Sequence, residues 1–153
     1  MTTDILKACP LFAGFSEAGL LMMSKIASIR TIPKQTPIFV ENMVAESLFV
    51  VQNGVVELQL KSPDGRDRAL EKLAPGDAFG ELSLLIGGHR MVSAMAATDC
   101  ELIEITRKDF LKLQRTKPQA CLKLMINIAA LFGKRLQGCR EYLKPTILAG
   151  LQD

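Results

Sequence analysis

The stretch of this chain with the means to do chemistry is Gly76-Asp77-Ala78-Phe79-Gly80-Glu81-Leu82-Ser83-Leu84-Leu85-Ile86-Gly87-Gly88-His89-Arg90-Met91-Val92-Ser93-Ala94. Gly80 stands where a backbone can approach a ligand closely, just before a short apolar helical turn whose first N–H groups have no partner inside the helix. Those groups and the positive end of the helix dipole make an anion site. Nine residues after Glu81, beyond Gly87-Gly88, Arg90 opens a strand able to fold back over the same turn. Its guanidinium offers the fork of donors that matches a phosphate. A carboxylate repels a phosphate, so Glu81 fits this company when the ligand carries both an anion and a hydroxyl donor.

Other chemistries fail on inventory. The sequence holds no G-x-x-x-x-G-K-[ST], no G-x-G-x-x-G and no G-x-S-x-G, and its single histidine, His89, would have to serve any nucleophile–base scheme alone. Cys9, Cys100, Cys121 and Cys139 form no C-x-x-C pair, so neither a zinc site nor the multi-histidine metal centre of a jelly-roll enzyme can be assembled. No catalytic residue, metal or cofactor is expected. The cysteines read as reduced, mostly buried thiols.

At 153 residues, 48% apolar, 23% charged and +3 in net charge, the chain has the makings of one soluble globular domain. A chain this long buries roughly 68–70% of its unfolded surface and needs no disulfide or metal staple. The 19 basic residues are spread along it rather than gathered in a run, which gives no case for nucleic acid. Its longest nearly apolar stretch, Leu124 to Gly133, is interrupted by Asn127 and falls short of the ~20 residues that span a bilayer. Met1 to Lys7 lack the pattern of a secretory signal, so the expected address is the cytoplasm.

The elements that must position the site follow from periodicity. Ser16 is a plausible N-cap for a short helix carrying Leu20, Leu21, Met23 and Ile26. Short β-branched runs then recur between turn signals: Ile29 to Ile32, Pro37 to Val40, Leu48 to Val51, Val55 to Leu60, Arg68 to Leu73, Met91 to Ala97 and Glu101 to Thr106. Asn53-Gly54 is a two-residue hairpin signal, and Ser62-Pro63-Asp64-Gly65 and Pro75-Gly76-Asp77 are tight turns. Alternation in Glu101 to Ile105 predicts one wet and one buried face. The expected fold is mainly β with flanking helices (α+β), an antiparallel jelly-roll barrel.

Helical spacing begins at Asp109-Phe110-Leu111, and Pro118 restarts it as the N1 residue of a longer helix to about Leu143. That helix has two apolar stripes. Leu122, Met125, Ala129, Phe132, Leu136, Cys139 and Leu143 form a heptad seam; Cys121, Leu124, Ile128 and Leu131 form a second. One stripe can cover the barrel while the other meets a second copy of the chain, or both are buried in one subunit; a homodimer is the preferred reading. Gly133 and Gly138 each weaken the helix by roughly 1 kcal/mol relative to Ala.

The Gly76–Ala94 stretch resembles the phosphate-binding cassette of the cyclic-nucleotide-binding domains found in the catabolite activator protein, cyclic-AMP-dependent protein kinase regulatory subunits and cyclic-nucleotide-gated channels. Leu11-Phe12, Ile38-Phe39-Val40-Glu41-Asn42, Leu48 to Val56, Leu73 to Asp77, Phe110, Pro118 and Lys134-Arg135-Leu136 fall in family order, so the likeness covers roughly residues 10 to 143. It implies one domain over 1–153: a helical region 10–28, a β-barrel 29–106 with the cassette at 80–93, C-terminal helices 107–143 and a tail 144–153. It further implies that Glu81 accepts from a ribose 2′-hydroxyl and Arg90 binds the cyclic phosphate. Leu82 and Ser83 would offer backbone N–H groups, Gly80 the room to approach, and Val92 and Ser93 further contacts. The base would be capped from the C-terminal helix by Cys139, Arg140 or Tyr142. The structural alternative for Glu81 and Arg90 is a salt bridge between barrel wall and loop.

Departures from the family pattern are informative. Met91 follows the arginine where cyclic-GMP binders often have Thr or Ser, and a thioether offers guanine no good hydrogen bond, so cyclic AMP is favoured over cyclic GMP. His89 replaces a common proline and is expected to face solvent without a role. Asn42 replaces a common glycine, a tolerable swap because Asn also visits the left-handed region. In the catabolite activator group a helix-turn-helix follows; only Pro145 to Asp153 stand in that place here, too few for that module, so direct DNA binding is not expected. Two readings result: a cyclic-nucleotide sensor that signals through its C-terminal helix to a dimer seam or an effector protein, with Gly138 and Pro145 as points of flexibility, or a scaffold that has kept the barrel but lost the ligand.

Overall fold

The computed structural model describes residues 2–151, with the side chains of Tyr142, Thr146 and Ile147 outside the described residues. The N-terminal part is helical: α1 (Thr2–Ala8), a 3-10 turn (Pro10–Phe12) and α2 (Glu17–Ile26). Ser16 caps α2 as expected, its hydroxyl accepting from the Gly19 N–H at 3.1 Å. Eight strands follow: β1 (Ser28–Ile32), β2 (Pro37–Phe39), β3 (Ser47–Asn53), β4 (Val56–Lys61), β5 (Asp67–Leu73), β6 (Ala78–Phe79), β7 (Ser93–Ala96) and β8 (Cys100–Thr106). The short α3 (Leu82–Leu85) lies between β6 and β7, and α4 (Arg107–Thr116), α5 (Pro118–Gly138) and α6 (Arg140–Gly150) complete the chain.

The strands form an antiparallel sandwich of two four-stranded sheets, ordered β1-β8-β3-β6 and β2-β7-β4-β5. With the N-terminal helices and the long C-terminal helix this is the expected α+β architecture. One core lies between the sheets, where Phe39, Phe49, Phe79, Val51, Ala94 and Leu102 meet. The other lies between the first sheet and the helices, where Leu48, Val50, Ile103 and Ile105 pack on Leu6, Phe12, Phe110, Leu124 and Ile128. Successive residues of β3 and β8 thus point into different cores, as a two-residue repeat requires.

That double burial corrects the alternation argument for Glu101 to Ile105. Both faces of β8 are covered, Leu102 by the opposite sheet and Ile103 and Ile105 by helices, and the two glutamates stay half-buried at the margins. Asn53-Gly54 is likewise not a hairpin within a sheet. It carries the chain from β3 in one sheet to β4 in the other, and Gly54 suits it twice over: φ is +87, and a Cβ would collide with the Asp99 carbonyl. Two helical segments lie outside the expectation. Residues 2–8 form α1, anchored by the single buried Leu6, too few apolar positions to show a period. The segment 144–153 is helical to Gly150, with Pro145 inside α6 rather than ending it.

The two stripes of the C-terminal helix separate except at Met125, a seam position that is half-buried and packs on the core with the other stripe. Cys121, Leu124 and Ile128 are buried under α5, and Leu131 is half-buried. Leu122, Ala129, Phe132, Leu136, Cys139 and Leu143 are exposed, with Leu122 at 51%. The continuous helix expected to Leu143 stops at Gly138, where Cys139 caps it and α6 begins. α5 is fastened to the N-terminal segment by Asn127, whose side-chain amide donates to the carbonyls of Leu11 at 2.8 Å and Ala13 at 3.0 Å. Replacing Ile128 by Ala is therefore expected to cost about 2–5 kcal/mol of folding stability. Leu122→Ala should stay within about 0.5 kcal/mol. Urea titration, at protein concentrations low enough to keep chains apart, measures both.

Candidate functional site

Arg90 is where the two sheets and the α3 turn converge. It is only 7% exposed, and its guanidinium carbon lies 4.0 Å from the centroid of the Phe39 ring and 5.8 Å from that of Phe49. One terminal nitrogen donates to the Ser47 carbonyl at 2.8 Å and the other to the Gly80 carbonyl at 3.5 Å. Its Nε is buried without a partner, and none of the described ion pairs involves Arg90. Burial pulls the guanidinium below its ordinary value, against the fields of Glu104, Glu46 and Glu81, which act the other way. An arginine remains charged through such a shift, so the site contains a buried cation held by neutral dipoles.

The backbone around Arg90 is set by local turns. Its N–H donates to the Met43 carbonyl at 2.7 Å, and its own carbonyl accepts from Asn42 at 2.8 Å. Asn42 makes this possible at φ +69, the left-handed conformation anticipated for it. Gly80, at φ +70, makes room for the arginine itself: a Cβ there would stand 2.5 Å from Arg90 Nη1 and 3.0 Å from the Ser47 carbonyl. Its carbonyl also accepts from the Ser83 hydroxyl at 2.6 Å and the Ser83 N–H at 3.2 Å. The Pro75-Gly76-Asp77 turn ties this region to β3, with Val51 donating to Asp77 and accepting from Gly76, both at 2.9 Å.

Glu81 is 5% exposed and does not pair with Arg90. Its carboxylate accepts from Arg135 of α5, whose second terminal nitrogen donates to the Ala78 carbonyl at 3.2 Å. Thus the C-terminal helix is tied to the segment that opens α3. Gly80, Glu81, Leu82, Ser83, Arg90, Met91, Val92 and Arg135 line one cavity of about 170 Å3, floored by Phe39 and Phe79.

The expected residues do not all gather there. Leu82 and Ser83 stand at the start of α3, but the Ser83 N–H already bonds Gly80, while among the described backbone hydrogen bonds the Leu82 N–H makes none. Met91 lies at the mouth, 76% exposed, and His89 is exposed beside it. Ser93 is turned away: β7 begins there rather than at Met91, its hydroxyl accepts from the Glu41 N–H at 3.0 Å, and it lines a different depression. Cys139 and Arg140 are exposed past the end of α5 and do not line the cavity; the Tyr142 side chain lies outside the described residues. From α5 it is Arg135 that lines the cavity. Its signal was present in the sequence, because the buried stripe Cys121, Leu124, Ile128, Leu131 continues by alternating steps of three and four to 135.

Comparison with known proteins adds the lineage. Residues 29–117 match the sequence model of the cyclic nucleotide-binding domain, a regulatory rather than catalytic family. The cyclic AMP receptor protein of Thermus thermophilus is 36% identical over 132 residues, covering 86% of this chain and 59% of that protein. The CRP-like cAMP-activated global transcriptional regulator of Mycobacterium tuberculosis is 28% identical over 68% of this chain and 46% of its own length. The chain therefore spans about half to three-fifths of these relatives. Among solved structures, the Thermus thermophilus catabolite activator protein superposes with a TM-score of 0.80 at 34% identity, covering 90% of this chain and 62% of that one. A cyclic nucleotide-binding domain from Methylobacillus flagellatus shares the fold with a TM-score of 0.81 at 19% identity, over 95% and 82% of the two chains. No described helix is long and apolar enough to cross a membrane. A family match over more than half of the sequence, joined to a relative at this identity, places the chain plainly: it belongs to the cyclic nucleotide-binding domain family.

Proposed function

We propose that the chain is a cyclic-nucleotide sensor, with cyclic AMP preferred over cyclic GMP, that passes ligand occupancy through α5 to a homodimer seam or an effector protein in the cytoplasm. The observation that carries this reading is the buried Arg90 guanidinium, which forms no ion pair among the described residues and faces the same cavity as Glu81. A buried charge left without a partner is costly. A cyclic phosphate beside Arg90 and the open Leu82 N–H would supply the missing anion, and the adjoining ribose hydroxyl would find Glu81. Val92 lines the pocket as a further contact, and Met91 at the mouth offers guanine no strong hydrogen bond.

Glu81 is already held by Arg135, so a ribose hydroxyl and the α5 guanidinium compete for one carboxylate. Ligand entry and helix position are thereby linked, because a ligand shifts the equilibrium only by its differential affinity for the two arrangements. The exposed stripe from Leu122 to Leu143 is the surface that would carry the change to a second copy or an effector. One observation favours the scaffold reading instead. The cavity of about 170 Å3 is smaller than the roughly 300–1,000 Å3 of ordinary ligand pockets.

Calorimetric titration separates the two. Saturable binding of cyclic AMP is expected, with weaker binding of cyclic GMP and a Kd raised about 100-fold or more in Arg90→Ala, since charge-assisted hydrogen bonds contribute about 1.5–3 kcal/mol each. Absence of heat with either nucleotide, from a protein whose unfolding remains cooperative, would leave the scaffold. Hydrogen exchange tests the coupling: cyclic AMP should change the protection of α5 in the wild type, whereas Arg135→Ala should bind the nucleotide without that response. Sedimentation tests the seam, which is expected to hold a dimer that Phe132→Glu with Leu136→Glu converts to monomer.

A further inference from the structure

We propose that the groove between α2 and the α4–α5 turn docks an acidic amphipathic helix of a partner protein. The groove encloses about 810 Å3, and its apolar lining includes Phe15, Ala18, Leu21, Met22, Pro118 and Ala120. Ala18, Met22 and Lys25 follow i, i+4, i+7 spacing, so one face of α2 about 10 Å long runs along it, enough to seat two turns of a second helix. Leu21 stands 51% exposed at the lip, a large apolar side chain left open among the described residues. Apolar anchors in a groove of this shape are how an amphipathic helix is received.

Charge selects the occupant. Lys25, Lys117 and Lys123 line the groove and no carboxylate does. Lys123 is fixed in place, its Nζ donating to the Gly14 carbonyl at 2.7 Å and lying 5.9 Å from the Phe15 ring centroid. The bonds from Asn127 to Leu11 and Ala13 hold the adjoining wall, so the groove is preformed and little ordering is needed on binding. A second copy seated about a two-fold axis would bring the same three lysines against these, and like charges across an interface are unfavourable. A helix with apolar residues on one face and carboxylates beside them meets both features of the groove. The site is independent of the nucleotide cavity, because Pro118 and Arg135 are separated by about 25 Å along α5.

Selection from a phage-displayed library of helical peptides of about four turns tests the proposal, with depletion on Ala18→Trp, whose indole fills the groove. Enriched peptides are expected to be net negative with apolar residues at i, i+3 or i+4, and i+7. Their affinity should fall with added salt and drop about tenfold or more for Ala18→Trp and for Lys25→Glu with Lys117→Glu, as expected when a central anchor pocket or its charged rim is lost. Circular dichroism and the unfolding midpoint establish that both variants are folded. Enrichment of neutral or basic peptides, equal binding to Ala18→Trp, or no enrichment at all would overturn the proposal. Cosedimentation with phosphatidylglycerol vesicles that the lysine reversals abolish, without peptide enrichment, would overturn it in favour of a lipid surface.

Discussion

A guanidinium buried without a carboxylate is an expensive thing to hold, and much of this fold is arranged around holding Arg90. Its partners come from both sheets: Ser47 and Phe49 from β3, Phe39 from β2, and the Gly80 carbonyl from the junction of β6 and α3. Carbonyl dipoles and the negative faces of aromatic rings are the ways a protein solvates a cation without neutralising it. A carboxylate in the same place would stabilise the apo protein and leave nothing for an incoming anion. With carbonyls and rings as its direct contacts and carboxylates acting only through their fields, the Arg90 charge is left without a hydrogen-bonded anion among the described residues.

The carboxylate–guanidinium pair of the cavity has the opposite character. Glu81 is buried but Arg135 is 37% exposed at its side chain, so the contact between them is solvent-screened on one side. Its importance is geometric more than energetic, because Glu81 belongs to the loop beside Arg90 while Arg135 belongs to α5. A neutral hydroxyl donor can replace Arg135 at the carboxylate, and the displaced guanidinium can find water at modest cost. The two guanidinium groups of the cavity are thus unequal by construction, Arg90 fixed in the wall by carbonyls and Arg135 paired with Glu81 at the solvent edge.

Legibility in the sequence followed locality. Gly80, Glu81 and Arg90 lie within eleven consecutive residues, and the left-handed Asn42, the Ser16 cap and both stripes of α5 depend on neighbours a few positions apart. What escaped depends on pairing between distant strands. Asn53-Gly54 has the chemistry of a hairpin turn, yet the chain changes sheets there, and only the sheet order reveals it. Glu101 to Ile105 alternates as a half-wet strand should, yet helices from both ends of the chain cover its second face. Cys139 and Arg140, expected to cap the base, lie past Gly138 where α5 ends and do not line the cavity, which α5 reaches with Arg135. Ser93 opens β7 on the side of Glu41, from whose N–H its hydroxyl accepts, and lines a different depression.

The division of α5 into a buried and an exposed stripe constrains how any signal leaves the cavity. Ile128 and Leu124 are close-packed against the first sheet, and a close-packed contact moves between discrete arrangements rather than sliding continuously. A change at Arg135 is therefore absorbed where packing is lightest, in the half-buried and exposed turns from Leu131 onward. Gly133 and Gly138 lie in that stretch with open space around them, and Gly138 is where α5 yields to α6. The same turns carry Phe132, Leu136 and Cys139 of the exposed seam. The groove at the other end of α5 is shielded by contrast, because Asn127 and Lys123 tie that end to the N-terminal segment. One helix thus has an end tied to the N-terminal segment and a more lightly packed end, and Arg135, which lines the cavity, belongs to the second.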